Sequence, residues 1–139
     1  MKNTVYIILF LFLLNCNTDD DNNSKCSDIA CTEQFVTITI SLKDDVNNPV
    51  PLDRIKVTIS ANGNDITREI PDIEWQSFRQ NGIYPLFGDE YAKDYQNMEL
   101  EINFKGFISN LEVVSSDFIV GADCCHVILV SGDTNLIID

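Results

Sequence analysis

The chain has 139 residues, 45% of them hydrophobic, and its 22 acidic residues outnumber its 9 basic residues to give a net charge of −13. This length and composition predict one globular domain with a modest core. The negative charge excludes nucleic-acid binding, because such a surface repels phosphate backbones. The sequence has no phosphate-binding loop, dinucleotide fingerprint or nucleophile elbow.

The N-terminus has the pattern of an export signal. Residues 1–3 include one lysine, and residues 5–14 form an unbroken apolar stretch that is too short to span a bilayer. Cys16 follows this stretch directly after Asn15. The segment resembles the lipobox of bacterial lipoprotein precursors, in which the cysteine is lipidated, although Asn15 replaces the usual small residue. We predict a signal peptide at residues 1–15 and lipidation of Cys16; an ordinary secretory signal is the alternative.

After Cys16 the segment of residues 16–25 is polar throughout and contains three consecutive acids, Asp19, Asp20 and Asp21. A segment without apolar residues cannot offset its own ordering entropy, so it is predicted to be a flexible tether. The acidic triplet is similar to the export signal of Bacteroidetes-type lipoproteins that are carried to the cell surface. A solvated spacer with no specific role is the alternative. The resemblance implies an outer-membrane lipoprotein facing the exterior, with the membrane as a partner through the N-terminal lipid.

Strands are predicted along the whole of the remaining chain. Apolar and polar residues alternate at 35–42, 54–60 and 98–104. Asn62-Gly63 indicates a hairpin turn between the second of these runs and residues 65–70. Residues 71–82 fit neither a helical nor a strand period, and residues 84–87 form a short strand.

The C-terminal third continues this pattern. A turn at Ser109-Asn110 separates residues 107–108 from residues 111–114, and a further strand covers residues 118–120. Residues 124–130 are nearly all apolar and are predicted to form a central strand, followed by a last strand at 135–138. These seven to nine strands, with no convincing amphipathic helix, predict an all-β fold. We expect a single immunoglobulin-like or transthyretin-like β-sandwich over residues 26–139.

The five cysteines support an exported protein. With Cys16 assigned to lipid, an even set remains, as expected for disulfide bonds in an oxidising compartment: Cys26, Cys31, Cys124 and Cys125. A bond between the two adjacent cysteines would be strained, so the start of the domain is predicted to be bonded to its penultimate strand. Two pairings satisfy this condition.

A metal site is the alternative role for these cysteines. Their thiolates, together with the imidazole of His126, suit zinc or copper. The two-residue spacing of paired zinc ligands is absent, however, and adjacent cysteines on a strand chelate one ion poorly. We therefore predict disulfide bonds, with no metal and no cofactor.

Two stretches resemble a known class of proteins. Residues 121–127, followed by Ser131-Gly132, and residues 31–35 are similar to Bacteroidetes-type surface lipoproteins with a small β-sandwich. Residues 36–59 also resemble the carboxypeptidase-regulatory-like sandwich, without the glycine that usually precedes the Pro49-Val50 step. These resemblances imply a β-sandwich and bring no catalytic residues.

The predicted function is that of a non-catalytic binding or accessory module of the cell envelope, with an unidentified protein or glycan as its ligand. Loops carry function on such scaffolds, and the candidates are residues 43–49 and 71–82. In the second loop Trp75, Phe78 and Arg79 are the candidate ligand-binding residues, although for Trp75 a core position is the favoured alternative. The remaining alternatives are a Cys/His metal or redox module and a glycan-active enzyme. In that enzyme, paired carboxylates at Asp89/Glu90 or Glu99/Glu101 would act as the acid–base residues.

Overall fold

Seven β-strands and one α-helix make up the part of the chain that the computed structural model describes, which is Cys26 and residues 28–138. In chain order they are β1 (Thr37–Asp44), β2 (Arg54–Ile59), α1 (Asp72–Asn81), β3 (Ile83–Gly88), β4 (Glu99–Ile108), β5 (Leu111–Ala122), β6 (Val127–Ser131) and β7 (Asn135–Ile138). A short 3₁₀ turn, Asp89–Tyr91, follows β3. The predicted signal peptide, the lipidation site Cys16 and the tether lie outside the described residues.

The strands form two sheets that pack as a sandwich, which confirms the predicted fold class. One sheet has the order β3-β1-β7 and the other the order β2-β4-β5-β6. Neighbouring strands are antiparallel except β1 and β7, which pair in parallel. The last strand therefore crosses from one sheet to the other instead of forming a hairpin with β6.

The core lies between the sheets and follows the predicted alternation. Fully buried side chains alternate with partly exposed ones along β1, β2, β4 and β5, and they include Ile40, Leu42, Val57, Ile102, Phe104, Phe118 and Val120. Burial of each side chain of this size contributes about 1.5–3 kcal/mol. Tyr84 in β3 is also fully buried, and its hydroxyl accepts a hydrogen bond from the Leu52 N–H and donates one to the Val50 carbonyl, both at 2.7 Å.

Residues 72–81 form a helix, so the expectation of no helix was wrong. The first turn carries Asp72 and Glu74 and the last carries Arg79, charges that suit the two ends of the helix dipole. Gly82 ends the helix in the left-handed conformation, with φ of 62°. No residue of α1 is fully buried. The helix contacts the core only through Trp75 and Phe78, which explains why its apolar period is weak.

The predicted central strand at residues 124–130 was also wrong. Residues 124–126 are a bend, and β6 begins only at Val127. The carboxylate of Asp123 accepts hydrogen bonds from the N–H groups of Cys125 (2.7 Å) and His126 (2.8 Å), an Asx turn that stops the strand. β6 lies at a sheet edge, where the side chains of residues 128–130 are partly exposed. An apolar run thus occupies an edge and not the centre.

Two predicted turns are confirmed, and one predicted strand is not. Ser109 and Asn110 both have positive φ, 50° and 65°, as the two central residues of a type I′ hairpin turn require. Gly63 (φ 71°) turns the chain after β2, and its N–H bonds the Ile59 carbonyl at 2.8 Å. Beyond that turn residues 65–70 lie along β2 but make only one isolated bridge, Thr58 to Asp65.

Within the described part of the chain, no helix has the length and apolarity needed to cross a bilayer.

Candidate functional site

A shallow groove of about 250 Å³ opens where the start of β2, residues 67–70 and the first turn of α1 meet. Aromatic, aliphatic, hydroxyl and charged side chains line it: Asp53, Arg54, Ile55, Thr67, Arg68, Ile70, Asp72 and Trp75. Small-molecule sites typically combine apolar surface with a few placed polar groups, and this groove has both.

The three candidate residues of α1 have different positions relative to this groove. Trp75 is half-buried, and its ring packs against Tyr84 with the centroids 5.7 Å apart while it also lines the groove. Trp75 thus contributes to the packing and to the groove surface at once. Phe78 packs against the core and does not line the groove. Arg79 reaches the rim, where its Nη2 lies 3.2 Å from Oδ1 of Asp53.

The other candidate loop, residues 43–49, is closed by its own hydrogen bonds. Oδ1 of Asp44 accepts the N–H groups of Asn48 at 2.7 Å and Val46 at 3.1 Å, and its Oδ2 accepts the Asn48 side-chain amide at 2.9 Å. The hydrogen bonds from Asn48 lower the pKa of Asp44. These contacts hold the loop as a turn, and it does not contribute to the groove.

The three arginines of the sequence all lie at this groove, a grouping that the sequence analysis missed. Arg54 and Arg68 line it, and Arg79 is bonded to its rim. They come from β2, from the segment after the Gly63 turn and from α1. No short-range pattern in the sequence links these positions, so the sequence alone shows how many arginines there are but not that they lie together.

Four cysteines form two disulfide bonds, as predicted. The bonds lie at the end of the four-stranded sheet that is opposite the groove. The bonds are Cys26–Cys124 and Cys31–Cys125, with Cα–Cα distances of 5.3 and 5.2 Å. This is one of the two pairings that the sequence left open. With all four thiols bonded, they are not available as the thiolate ligands of the alternative metal site.

Three side chains beside these bonds form a hydrogen-bonded chain, which we call the Asp89 clasp (Thr32, His126 and Asp89). Oγ1 of Thr32 lies 2.9 Å from Nε2 of His126, and Nδ1 of His126 lies 2.7 Å from Oδ2 of Asp89. Asp89 also accepts the N–H groups of Val36 (2.7 Å) and Val127 (2.8 Å), and its side chain is only 9% exposed. Burial by itself raises the pKa of this carboxyl. The hydrogen bond from His126 and those from the two N–H groups outweigh burial and hold the pKa of Asp89 below its ordinary value.

The order hydroxyl, imidazole, carboxylate also occurs in nucleophilic hydrolases. Catalysis needs, in addition, a substrate cleft and donors for the developing oxyanion. Neither the groove at Trp75 nor a second groove of about 330 Å³ beside Glu101 and Asp117 includes any residue of the clasp. The hydrogen bonds of the clasp fasten the segment before β1 to the loop between β5 and β6.

The carboxylate pairs considered for glycan hydrolysis are placed differently from one another. Asp89 is saturated by its three donors, and its neighbour Glu90 is exposed. Glu99 and Glu101 lie exposed on the outer face of β4. Glu101 alone of these four residues lines a groove, the second one, together with Asp117.

Comparisons with protein-family models, with curated proteins and with solved structures gave no significant match. The fold and the site by themselves define a β-sandwich that is cross-linked at one end and carries a shallow groove at the other.

Proposed function

We propose that this protein is a lipid-anchored binding module of the cell envelope and that the groove at Trp75 is its ligand site. The observation that carries the proposal is the placement of the groove relative to the point where the tether joins the domain. Cys26, the first described residue, is bonded to Cys124, which follows the end of β5.

The strand register gives the distance between the groove and the cross-linked end of the sheet. At the cross-linked end Glu99 of β4 pairs with Gly121 of β5, and at the groove end Phe107 pairs with Glu112. Arg54, which lines the groove, pairs with Phe107. The two levels are about 30 Å apart along β5 at the usual rise per residue of a strand. A tether joined at Cys26 would therefore present the groove away from the membrane, where a ligand can reach it.

Replacing Cys16 by serine should release the protein from the membrane fraction. Without the thiol there is no site for the lipid, and the apolar stretch of residues 5–14 is too short to anchor the chain as a spanning helix. Fractionation of cells expressing each form, followed by immunoblotting, measures the effect. Asn15→Ser is the matched control and should stay membrane-bound. Membrane association of the Cys16→Ser protein equal to that of the wild type would contradict the anchor.

Replacing Trp75 by alanine should weaken binding at the groove, because the indole supplies the aromatic surface of its lining. A glycan array probed with the wild-type domain, residues 26–139, identifies the ligands, and calorimetry then compares the variants. We expect at least a tenfold loss of affinity for Trp75→Ala, since burial of an aromatic ring in a site contributes about 1.5–3 kcal/mol. Phe78→Ala is the control on the same helix: it also removes a half-buried ring but leaves the groove lining intact. Equal losses in the two variants would point to a folding defect and contradict the assignment of the groove.

A further inference from the structure

One arginine of the groove lining forms no salt bridge among the described residues. Arg68 is held by Glu74 and Arg79 by Asp53, each at 3.2 Å. The guanidinium carbon of Arg54 instead lies 3.7 Å from the centroid of the Phe107 ring. Among the described residues no carboxylate lies within salt-bridge distance of Arg54.

This environment prepares Arg54 for a planar anion. The Phe107 ring lies beside the guanidinium carbon as a cation–π partner and cannot accept its N–H groups in conventional hydrogen bonds. Two parallel N–H groups match the two oxygens of a carboxylate and bind it bidentately. Because the side chain is already held in one position by the ring, less conformational entropy is lost when the anion binds.

We propose that the ligand of this groove is a sugar bearing a carboxylate, with its ring against Trp75 and its carboxylate on Arg54. This inference rests on the proposed function, because it names the ligand class of the same site. Asp72 lies in the same lining and is exposed. Its carboxylate can accept hydrogen bonds from sugar hydroxyls, so the groove offers an aromatic surface, an acceptor and an anion site together.

The dimensions and edges of the groove favour a sugar over an acidic peptide. Its volume of about 250 Å³ lies just below the roughly 300–1,000 Å³ of sites for drug-sized ligands, which suits a single ring with its substituents. A peptide that added a strand would need a free sheet edge. The edge of β2 beside the groove is already occupied, because residues 65–67 bond to it through the Thr58–Asp65 bridge and through the Ile66 N–H to the Val57 carbonyl.

The net charge of −13 opposes an anionic ligand at long range but not at contact. At physiological ionic strength exposed charges farther apart than about 8 Å are largely screened. A carboxylate seated on Arg54 therefore interacts mainly with the charges of the groove itself, where the three arginines balance the carboxylates of Asp53, Asp72 and Glu74.

Calorimetry with the disulfide-bonded domain, residues 26–139, tests the inference. The probes are oligosaccharides containing glucuronic, galacturonic, mannuronic or sialic acid, each with its methyl ester as the uncharged match, together with neutral oligosaccharides and poly-aspartate. We expect at least one acidic oligosaccharide to bind about tenfold more tightly than its ester, which is the usual contribution of a charged hydrogen-bonded pair. Arg54→Gln should remove that preference, so that the acid and its ester bind with similar affinity. Lys56→Gln makes the same charge change two residues along β2, outside the groove lining, and should have no effect.

The other outcomes separate this inference from the proposed function. Neutral oligosaccharides or esters could instead bind as tightly as the acids, in a Trp75-dependent way. That result would refute the need for a carboxylate on the ligand, and the proposed function as a binding module would stand. If poly-aspartate binds through Arg54 as tightly as the acidic sugars do, the assignment to a sugar is wrong. If no oligosaccharide binds the folded domain, both the inference and a glycan-binding function fail.

Discussion

Removing both disulfide bonds together should lower the free energy of unfolding by about 7 kcal/mol, whereas removing either bond alone should cost only about 2.5 kcal/mol. The bonds span 98 and 94 residues, so either of them, as the only cross-link, restricts a long loop in the unfolded chain. The entropy of closing such a loop is worth about 4.7 kcal/mol.

The second bond adds less because the first has already brought its cysteines together. With Cys26 bonded to Cys124, the remaining path from Cys31 to Cys125 runs back through residues 31–26, across the sulfurs and on to residue 125. A loop of about eight residues is then closed, for which the same relation gives about 2.5 kcal/mol. The same short loop remains when Cys31–Cys125 is the bond that is kept, so the order in which the bonds are removed makes no difference.

Three variants measure this effect by urea denaturation: Cys26→Ala with Cys124→Ala, Cys31→Ala with Cys125→Ala, and all four together. We expect the two double variants to stay folded with similar midpoints. The quadruple variant should be largely unfolded in water, because about 7 kcal/mol is comparable to the whole stability of a small domain. Costs that simply add would contradict the shared-loop argument.

Replacing Asp89 by alanine should destabilise the domain by about 3 kcal/mol, the largest effect expected from a single polar side chain here. The change leaves the N–H groups of Val36 and Val127 and the ring of His126 without their acceptor in a site that is nearly closed to water. Asp94→Ala removes an exposed carboxylate five residues away and should change stability by less than about 0.5 kcal/mol. A shift of the denaturation midpoint at constant slope is the readout.

The same carboxylate should make the domain sensitive to acid. Because the pKa of Asp89 is lower in the folded protein than its ordinary value of 3.8, the unfolded chain binds more protons between those two pKa values. The stabilisation from Asp89 is therefore complete above pH 3.8 and is lost as the pH falls through the folded pKa. Denaturation midpoints measured from pH 6 down to pH 2 should fall less steeply for Asp89→Asn than for the wild type. Parallel curves would contradict the assigned hydrogen bonds.

Sequence patterns were most informative where the physical cause is local. The alternation in β1, β2 and β4 identifies the buried faces because successive side chains of a strand point to opposite sides of the sheet. The Ser109-Asn110 turn was predicted for a similar reason, since it depends on two adjacent residues with positive φ. The helix α1 escaped notice because it is held by its end residues and two half-buried rings, without a continuous apolar stripe.

The apolar run at 124–130 shows the limit of this approach. Its composition indicated a central strand, but the carboxylate of Asp123 bends the chain at Cys125 and His126, and the remainder pairs only with β5. Whether a strand lies at the centre or the edge of a sheet depends on which other strands pair with it. That information is not contained in the run itself.

By itself the sequence determined the all-β class, the strand faces and the even set of cysteines after Cys16, since these follow from composition and short-range periodicity. Only the tertiary structure decided which cysteines pair, that Thr32 and Asp89 meet through His126, and that the three arginines gather beside Trp75. Each of these arrangements joins residues from separate elements. Their proximity is set by how the two sheets and the helix pack, and no local pattern in the chain encodes that packing.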